Sequence, residues 1–261
     1  MTARTRDPAT GISAAEPEAA AVSDRKLRIF RDRGALAEGA AEWLLGVATE
    51  KAGAFTVALS GGSTPRALYE RLAAPPYQEA FPWARTHLFW GDERFVPHND
   101  AQSNFRMARE ALLSRVPIPA GNIHPVPTQG ASPETAAAAY QHELMDYYGA
   151  EALAPERPLF DVTLLGLGAD GHTASLFPGA AVLGEQHSWV AAVADAKNLA
   201  RITLTYPALE SSRLVVFLVT GKEKSAVFAR LRRGDRALPA ALLHPVGNLW
   251  QFVDAECAGI S

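Results

Sequence analysis

The chain has 261 residues, 25 basic and 28 acidic side chains, a formal charge of −3 at pH 7 and 48% hydrophobic composition. That length buries a full core in one large domain or two small ones, and the charge balance excludes a general attraction to nucleic acid or an anionic membrane. A single cysteine, Cys257, excludes an internal disulfide, and seven scattered histidines give no metal-ligand spacing.

Residues 1–23, rich in Ala, Thr, Pro and Glu without hydrophobic periodicity, are expected to form a disordered lead-in. A single catalytic α/β domain is expected over 24–261. Neither a secretory pattern nor a membrane-length apolar run is legible, so the cytoplasm is the expected compartment.

Lys26 to Phe30 predicts a short strand, and Leu36, Ala40, Trp43, Leu44 and Val47 fall on one face of a helix ending near Gly53. Phe55 to Leu59 is apolar apart from Thr56, as in a parallel strand buried on both faces. It runs into Ser60-Gly61-Gly62-Ser63-Thr64-Pro65, where Pro65 marks a first helical position and Thr64 its expected cap. Two glycines at a helix start let backbone N–H groups approach an anion, so this turn reads as a phosphate cradle. It lacks the spacing and lysine of a P-loop. The plainer alternative is a connecting turn.

Thr86 to Trp90 is the next strand, delivering Gly91-Asp92-Glu93-Arg94 to a loop that could equally be a solvated turn. Asp100 or Ser103 caps a helix with Phe105, Ala108 and Leu112 inside. Ile123 to Pro127 is too proline-rich for a central strand. Ser132-Pro133 opens a further helix with Ala136, Tyr140, Leu144 and Tyr147 on its face, closed by Gly149.

Phe160 to Leu165 reads as a buried strand emptying into Gly166-Leu167-Gly168-Ala169-Asp170-Gly171-His172. The glycines match a dinucleotide fingerprint, but Pro178-Gly179 stops any helix before a full crossover could form. An acid and an imidazole two residues apart at a strand end have the address of a catalytic pair. The alternative is an Asx turn at Asp170 and a histidine that satisfies buried backbone.

Trp189 to Val193 and Arg201 to Thr205 are predicted strands, the second alternating so that one face can meet a cavity. Leu214 to Val219 is the most apolar strand, and Thr220-Gly221-Lys222-Glu223-Lys224-Ser225 turns it into a helix running to about Arg233. A lysine there can neutralise a phosphate, although spacing does not choose between Lys222 and Lys224, and surface lysines are common. Leu249 to Val253 predicts an edge strand. The alternation of strand and helix argues a mostly parallel sheet with helices on both faces, so the loops at 60–65, 91–95, 166–172 and 220–225 are expected to converge.

Leu59-Ser60-Gly61-Gly62-Ser63-Thr64-Pro65, Trp90-Gly91-Asp92-Glu93-Arg94, Gly166 to Gly179 and Arg201-Ile202-Thr203-Leu204-Thr205 together resemble the glucosamine-6-phosphate isomerase/6-phosphogluconolactonase family, on its lactonase side. The resemblance implies an α/β, Rossmann-like sheet of the type shared with glucosamine-6-phosphate deaminase and ribose-5-phosphate isomerase. It implies hydrolysis of the lactone of 6-phosphogluconate in the oxidative pentose phosphate pathway, with no metal and no cofactor. By the same resemblance His172 is the general base, Asp170 orients it or helps place the water, Arg94 reaches the substrate, and Asp92 and Glu93 shape the site. Phosphate is held by the backbone of Ser60, Gly61, Gly62 and Ser63, by Arg201, and by a lysine whose spacing after Gly221 favours Lys224. A phosphorylated sugar lactone is the expected partner, without nucleic acid or membrane, and a monomer is expected. The chain departs from the family at Asp195 to Ala200, where many members carry a proline-rich segment. Two other readings share the site: a hexosamine-phosphate deaminase or isomerase with Asp92 as base, and a non-catalytic sugar-phosphate sensor.

Overall fold

The computed structural model describes residues 25–130, 132–194 and 199–260. The lead-in at 1–23 and most of the segment that departs from the family, 195–198, lie outside the described residues. The strands are β1 (Lys26–Phe30), β2 (Phe55–Leu59), β3 (Thr86–Trp90), β4 (Asp92–Arg94), β5 (Phe160–Leu165), β6 (Val190–Ala194), β7 (Ala200–Leu204), β8 (Ser212–Val219) and β9 (Asn248–Asp254). The helices are α1 (Arg33–Glu50), α2 (Ser63–Leu72), α3 (Tyr77–Ala80), α4 (Asn104–Ala111), α5 (Pro133–Tyr148), α6 (Tyr206–Glu210), α7 (Ser225–Arg232) and α8 (Ala255–Ala258).

Six strands form one sheet in the order β1-β9-β8-β5-β2-β3, and every pair in it is parallel. Every residue of β2 and β5 is buried. Successive strand residues point to opposite faces, so burial at every position means that the sheet is covered on both. From β2 the chain passes through α2 to β3 on one side, while β5 leads to β8 on the other. The crevice at the C-terminal ends of β2 and β5 is therefore a topological switch point, where open α/β sheets bind ligands.

Three sequence expectations need correction. Asp92–Arg94 is a strand, pairing antiparallel with β7 in a small second sheet of order β4-β7-β6; the exposed ladder of β7 recruits it. The strand at Asn248–Asp254 is not at the edge, because β1 lies outside it, and Gln251, Phe252 and Val253 are fully buried. The edge goes to β1, whose Lys26 and Arg28 lie over the Trp250 ring and discourage pairing with another chain. Finally, Gly62 rather than Thr64 caps α2. The Thr64 hydroxyl instead meets that of Thr220 at 2.7 Å.

The other helix signals hold. Ser103 caps α4 by accepting from the Arg106 N–H, and Ser132 caps α5, which ends at left-handed Gly149. On α5 the buried C-terminal aromatic is Tyr148, while the half-buried Tyr147 packs on Phe89.

Candidate active site

Two buried tyrosines fix the strand ends that open the crevice. The Tyr69 hydroxyl donates to the Ser60 carbonyl at 2.8 Å and accepts from its N–H at 2.9 Å, and burial pushes its phenol far up. Tyr140 treats Trp90 at the end of β3 the same way, at 3.1 and 2.8 Å. Each phenol replaces ladder partners that a terminating strand has lost. The chain can therefore turn sharply into the crevice.

The cradle follows directly. Gly62 has a φ of 106°, and α2 begins after it with no side-chain cap, so the helix start is left for a ligand. A Cβ on Gly61 would stand 2.0 Å from the Asn104 carboxamide oxygen. Only glycine allows that approach. At Gly166, the start of the β5 loop, a Cβ would lie 3.9 Å from the Ser60 hydroxyl, so cradle and histidine loop adjoin.

In the small sheet Asp92 faces Thr203, Glu93 faces Ile202 and Arg94 faces Arg201. Alternation places Asp92, Arg94, Arg201 and Thr203 on one face and Glu93 on the other. Asp92 accepts from the Ser175 hydroxyl at 2.6 Å and lies 3.9 Å from the Arg201 guanidinium. Arg94 donates to the Gln102 carbonyl at 2.8 Å and the Asn104 side chain at 2.9 Å. Glu93 is 1% exposed. Its carboxylate accepts from the backbone of Arg94, Asn104 and Phe105 and from the Ser103 hydroxyl, at 2.7 to 3.0 Å. Burial pushes its carboxyl up against those four donors. It anchors α4 to β4 from behind the cavity wall.

The loop after β5 is a tight turn in which Gly168 N–H donates to the His172 carbonyl at 2.8 Å and Gly171 N–H to the Gly168 carbonyl at 3.0 Å. A Cβ on Gly168 would stand 2.0 Å from the His172 Nδ1, so the imidazole lies directly over that glycine. Asp170 Oδ1 accepts from His172 Nδ1 at 2.6 Å and from its backbone N–H at 3.1 Å. Burial works against the Asp170 charge, but the His172 donors outweigh it and hold the carboxyl below its usual range. A carboxylate at Nδ1 selects the tautomer whose neutral ring carries its lone pair at Nε2. Phe177 supports the ring, with centroids 4.6 Å apart. Ala174, in the same wall, has a φ of 47°, a strained value for a residue with a side chain.

A cavity of about 270 Å³ joins these parts. Of the residues expected from sequence, Ser60, Gly61, Gly62, Ser63, Asp92, Arg94, His172, Arg201 and Lys224 line it. Asp170 stands behind His172, Glu93 behind β4, and Lys222 is outside the lining. The structure adds Asn104, Arg33 and Thr220. Asn104 carried a weak signal as the residue after a helix cap; its amide also donates to the Asp92 carbonyl at 2.9 Å. Arg33 follows the C-terminal end of β1, on the edge where the other loops gather. Among the described residues no three His, Cys, Asp or Glu side chains are grouped to hold a metal ion.

The family of glucosamine-6-phosphate isomerases and 6-phosphogluconolactonases matches residues 31–250. The chain belongs to that family. Within the glucosamine-6-phosphate isomerase/6-phosphogluconolactonase family it is 42% identical over 215 residues to a 6-phosphogluconolactonase of Nostoc sp., covering 81% of this chain and 86% of that one. It is 43% identical over 206 residues to a 6-phosphogluconolactonase of Synechocystis sp., covering 77% and 82%. Among solved structures, the 6-phosphogluconolactonase from Trypanosoma cruzi superposes with a TM-score of 0.80 at 28% identity, covering 90% of this chain and 96% of that one. A monomeric glucosamine-6-phosphate deaminase shares the fold at a TM-score of 0.75 and 20% identity, over 90% of this chain and 100% of that one.

Proposed function

We propose that this chain is a 6-phosphogluconolactonase, hydrolysing 6-phospho-D-glucono-1,5-lactone to 6-phosphogluconate in the oxidative pentose phosphate pathway. One observation carries the mechanism: His172, with Nδ1 tied to Asp170 and its side chain 31% exposed, opens onto the same cavity as the Ser60–Ser63 cradle and Lys224.

The phosphate sits at the start of α2, against the backbone of Ser60 to Ser63, with Lys224 and Arg201 neutralising it. Held there, the lactone carbonyl faces His172. Nε2 takes a proton from water as the oxygen attacks C1, and the carbonyl electrons move onto its oxygen. Arg94 stabilises that oxyanion. When the intermediate collapses, the bond from C1 to the ring oxygen breaks, and the imidazolium returns its proton to the departing oxygen. Asp170 stays ionised throughout and stabilises the imidazolium. Asp92 accepts from Ser175 and sits beside Arg201; it holds the arginine wall in place. In this reading the enzyme works in the cytoplasm as a monomer, without a resident metal or cofactor. No helix is long and apolar enough to cross a membrane among the described residues.

The test is acid release from freshly prepared 6-phosphogluconolactone, measured against its spontaneous decay. Purified chain is expected to accelerate it strongly. Turnover of glucosamine 6-phosphate with no effect on lactone decay would transfer the assignment to the deaminase chemistry.

A further inference from the structure

Arg33 is the first residue of α1, directly after its cap Asp32. The helix dipole disfavours a cation at that end, and α1 has no acidic residue in its first turn. The neighbouring carboxylate is already engaged, because Asp32 accepts from Arg31 Nε at 2.7 Å and from the Ala35 N–H at 2.8 Å. Arg33 turns toward the cavity instead. Its Nε donates to the Thr220 hydroxyl at 3.3 Å, and Thr220 meets the hydroxyl of Thr64, in the first turn of α2, at 2.7 Å. Both threonines are buried.

The guanidinium is thereby tethered to the helix whose start forms the cradle, on the side where Lys224 also lines the cavity. Its two terminal nitrogens have no partner among the described residues, whereas Arg66 and Arg71 turn their guanidinium groups to Glu70 and Glu38. An open guanidinium fork in a cavity wall matches two oxygens of a phosphate, while a lysine offers only a point charge.

We propose that Arg33 is a phosphate-binding, specificity-determining residue, which grips the substrate's phosphate bidentately alongside Lys224 and makes the site select phosphorylated over unphosphorylated lactone. This rests on the reading of the Ser60–Ser63 turn as the phosphate site. Arg33 takes no part in proton transfer, so its contribution lies in KM.

The experiment measures kcat and KM for 6-phosphogluconolactone and for unphosphorylated gluconolactone, together with inhibition by inorganic phosphate, in Arg33→Ala, Arg33→Lys and Lys224→Ala. Arg33→Ala is expected to raise KM for the phosphorylated lactone about tenfold or more and to weaken phosphate inhibition similarly, with kcat and the unphosphorylated reaction changed less than about twofold. Arg33→Lys is expected to recover only part of the loss. Where Lys224→Ala loses phosphate discrimination and Arg33→Ala does not, or where Arg33→Ala harms both lactones equally, the Arg33 assignment falls and the cradle stands. Where neither variant affects discrimination, the cradle itself is misplaced and Arg33's role goes with it. Arg33→Gln keeps the tether to Thr220 without the charge and replaces the alanine variant if that one does not fold. A purely structural tether would move the melting temperature and leave phosphate inhibition intact.

Discussion

The loop after β5 and the junction of β4 with α4 each bring a carboxylate to the active site and use it in opposite ways. Asp170 is half exposed and has its bonds from the residue it serves, His172. Glu93 is sealed from solvent and accepts from four donors, all on β4 or at the start of α4. In the proposed mechanism the first acts on chemistry through one imidazole; the second ties the backbone of Arg94, Asn104 and Phe105 together. Acids close to a site divide by what remains open on their partners.

The largest effect that sharpens this contrast is His172→Ala, expected to cut kcat by about 10²–10⁴ while leaving substrate-analogue affinity and melting temperature near those of the parent. Unchanged hydrolysis would remove the general base. Asp170→Asn is expected next, lowering kcat by about ten- to a hundredfold through loss of the tautomer and of imidazolium stabilisation, less than in a buried triad because the pair is partly solvated. Steady-state kinetics with an unchanged melting curve is the signature. Glu93→Gln should reverse the pattern, destabilising the fold by about 1–3 kcal/mol in denaturant titration because an amide cannot accept from all four donors. Its kinetic loss should be indirect and seen mostly in KM.

The smallest effect is in acid. Asp170 has a depressed carboxyl, so its stabilising contribution is present above the ordinary aspartate range and is lost as pH falls through the folded value. Glu93 has a raised carboxyl, so its contribution is fullest below the ordinary glutamate range and declines as pH rises through the folded value. Melting temperatures of the parent, Asp170→Asn and Glu93→Gln from about pH 3 to pH 7 should show the two variants diverging from the parent in opposite directions. Parallel curves would mean that the two acids sit in equivalent environments.

Much of this was legible in the sequence because the informative residues obey local rules. Phe55–Leu59 and Phe160–Leu165 are apolar apart from Thr56, Asp161 and Thr163 and are buried at every position, as in a strand covered on both faces. The loops following such strands must share an edge, so Ser60, His172 and Lys224 could be brought together before any coordinates. What was not legible depends on long-range pairing. Asp92 to Arg94 looks like a charged turn until β7 supplies a ladder, and only that register puts Glu93 on the opposite face from Asp92. β9 looked like an edge because its order in the sheet is set by β1, more than two hundred residues earlier in sequence. Arg33 and Asn104 carry no motif. Their roles come from the strand ends they follow and from what approaches them, as with Gly61 against Asn104.

The register that sets Arg94 directly across from Arg201 has a thermodynamic corollary. Like charges facing each other on adjacent strands repel, and Asp92, 3.9 Å from the Arg201 guanidinium, brings the opposite charge to that wall. A small oxyanion that binds between the two guanidinium groups of the folded protein raises its stability by mass action. Phosphate or sulfate in a storage buffer would then act as a folding ligand, and melting temperatures recorded in such buffers would describe the occupied protein.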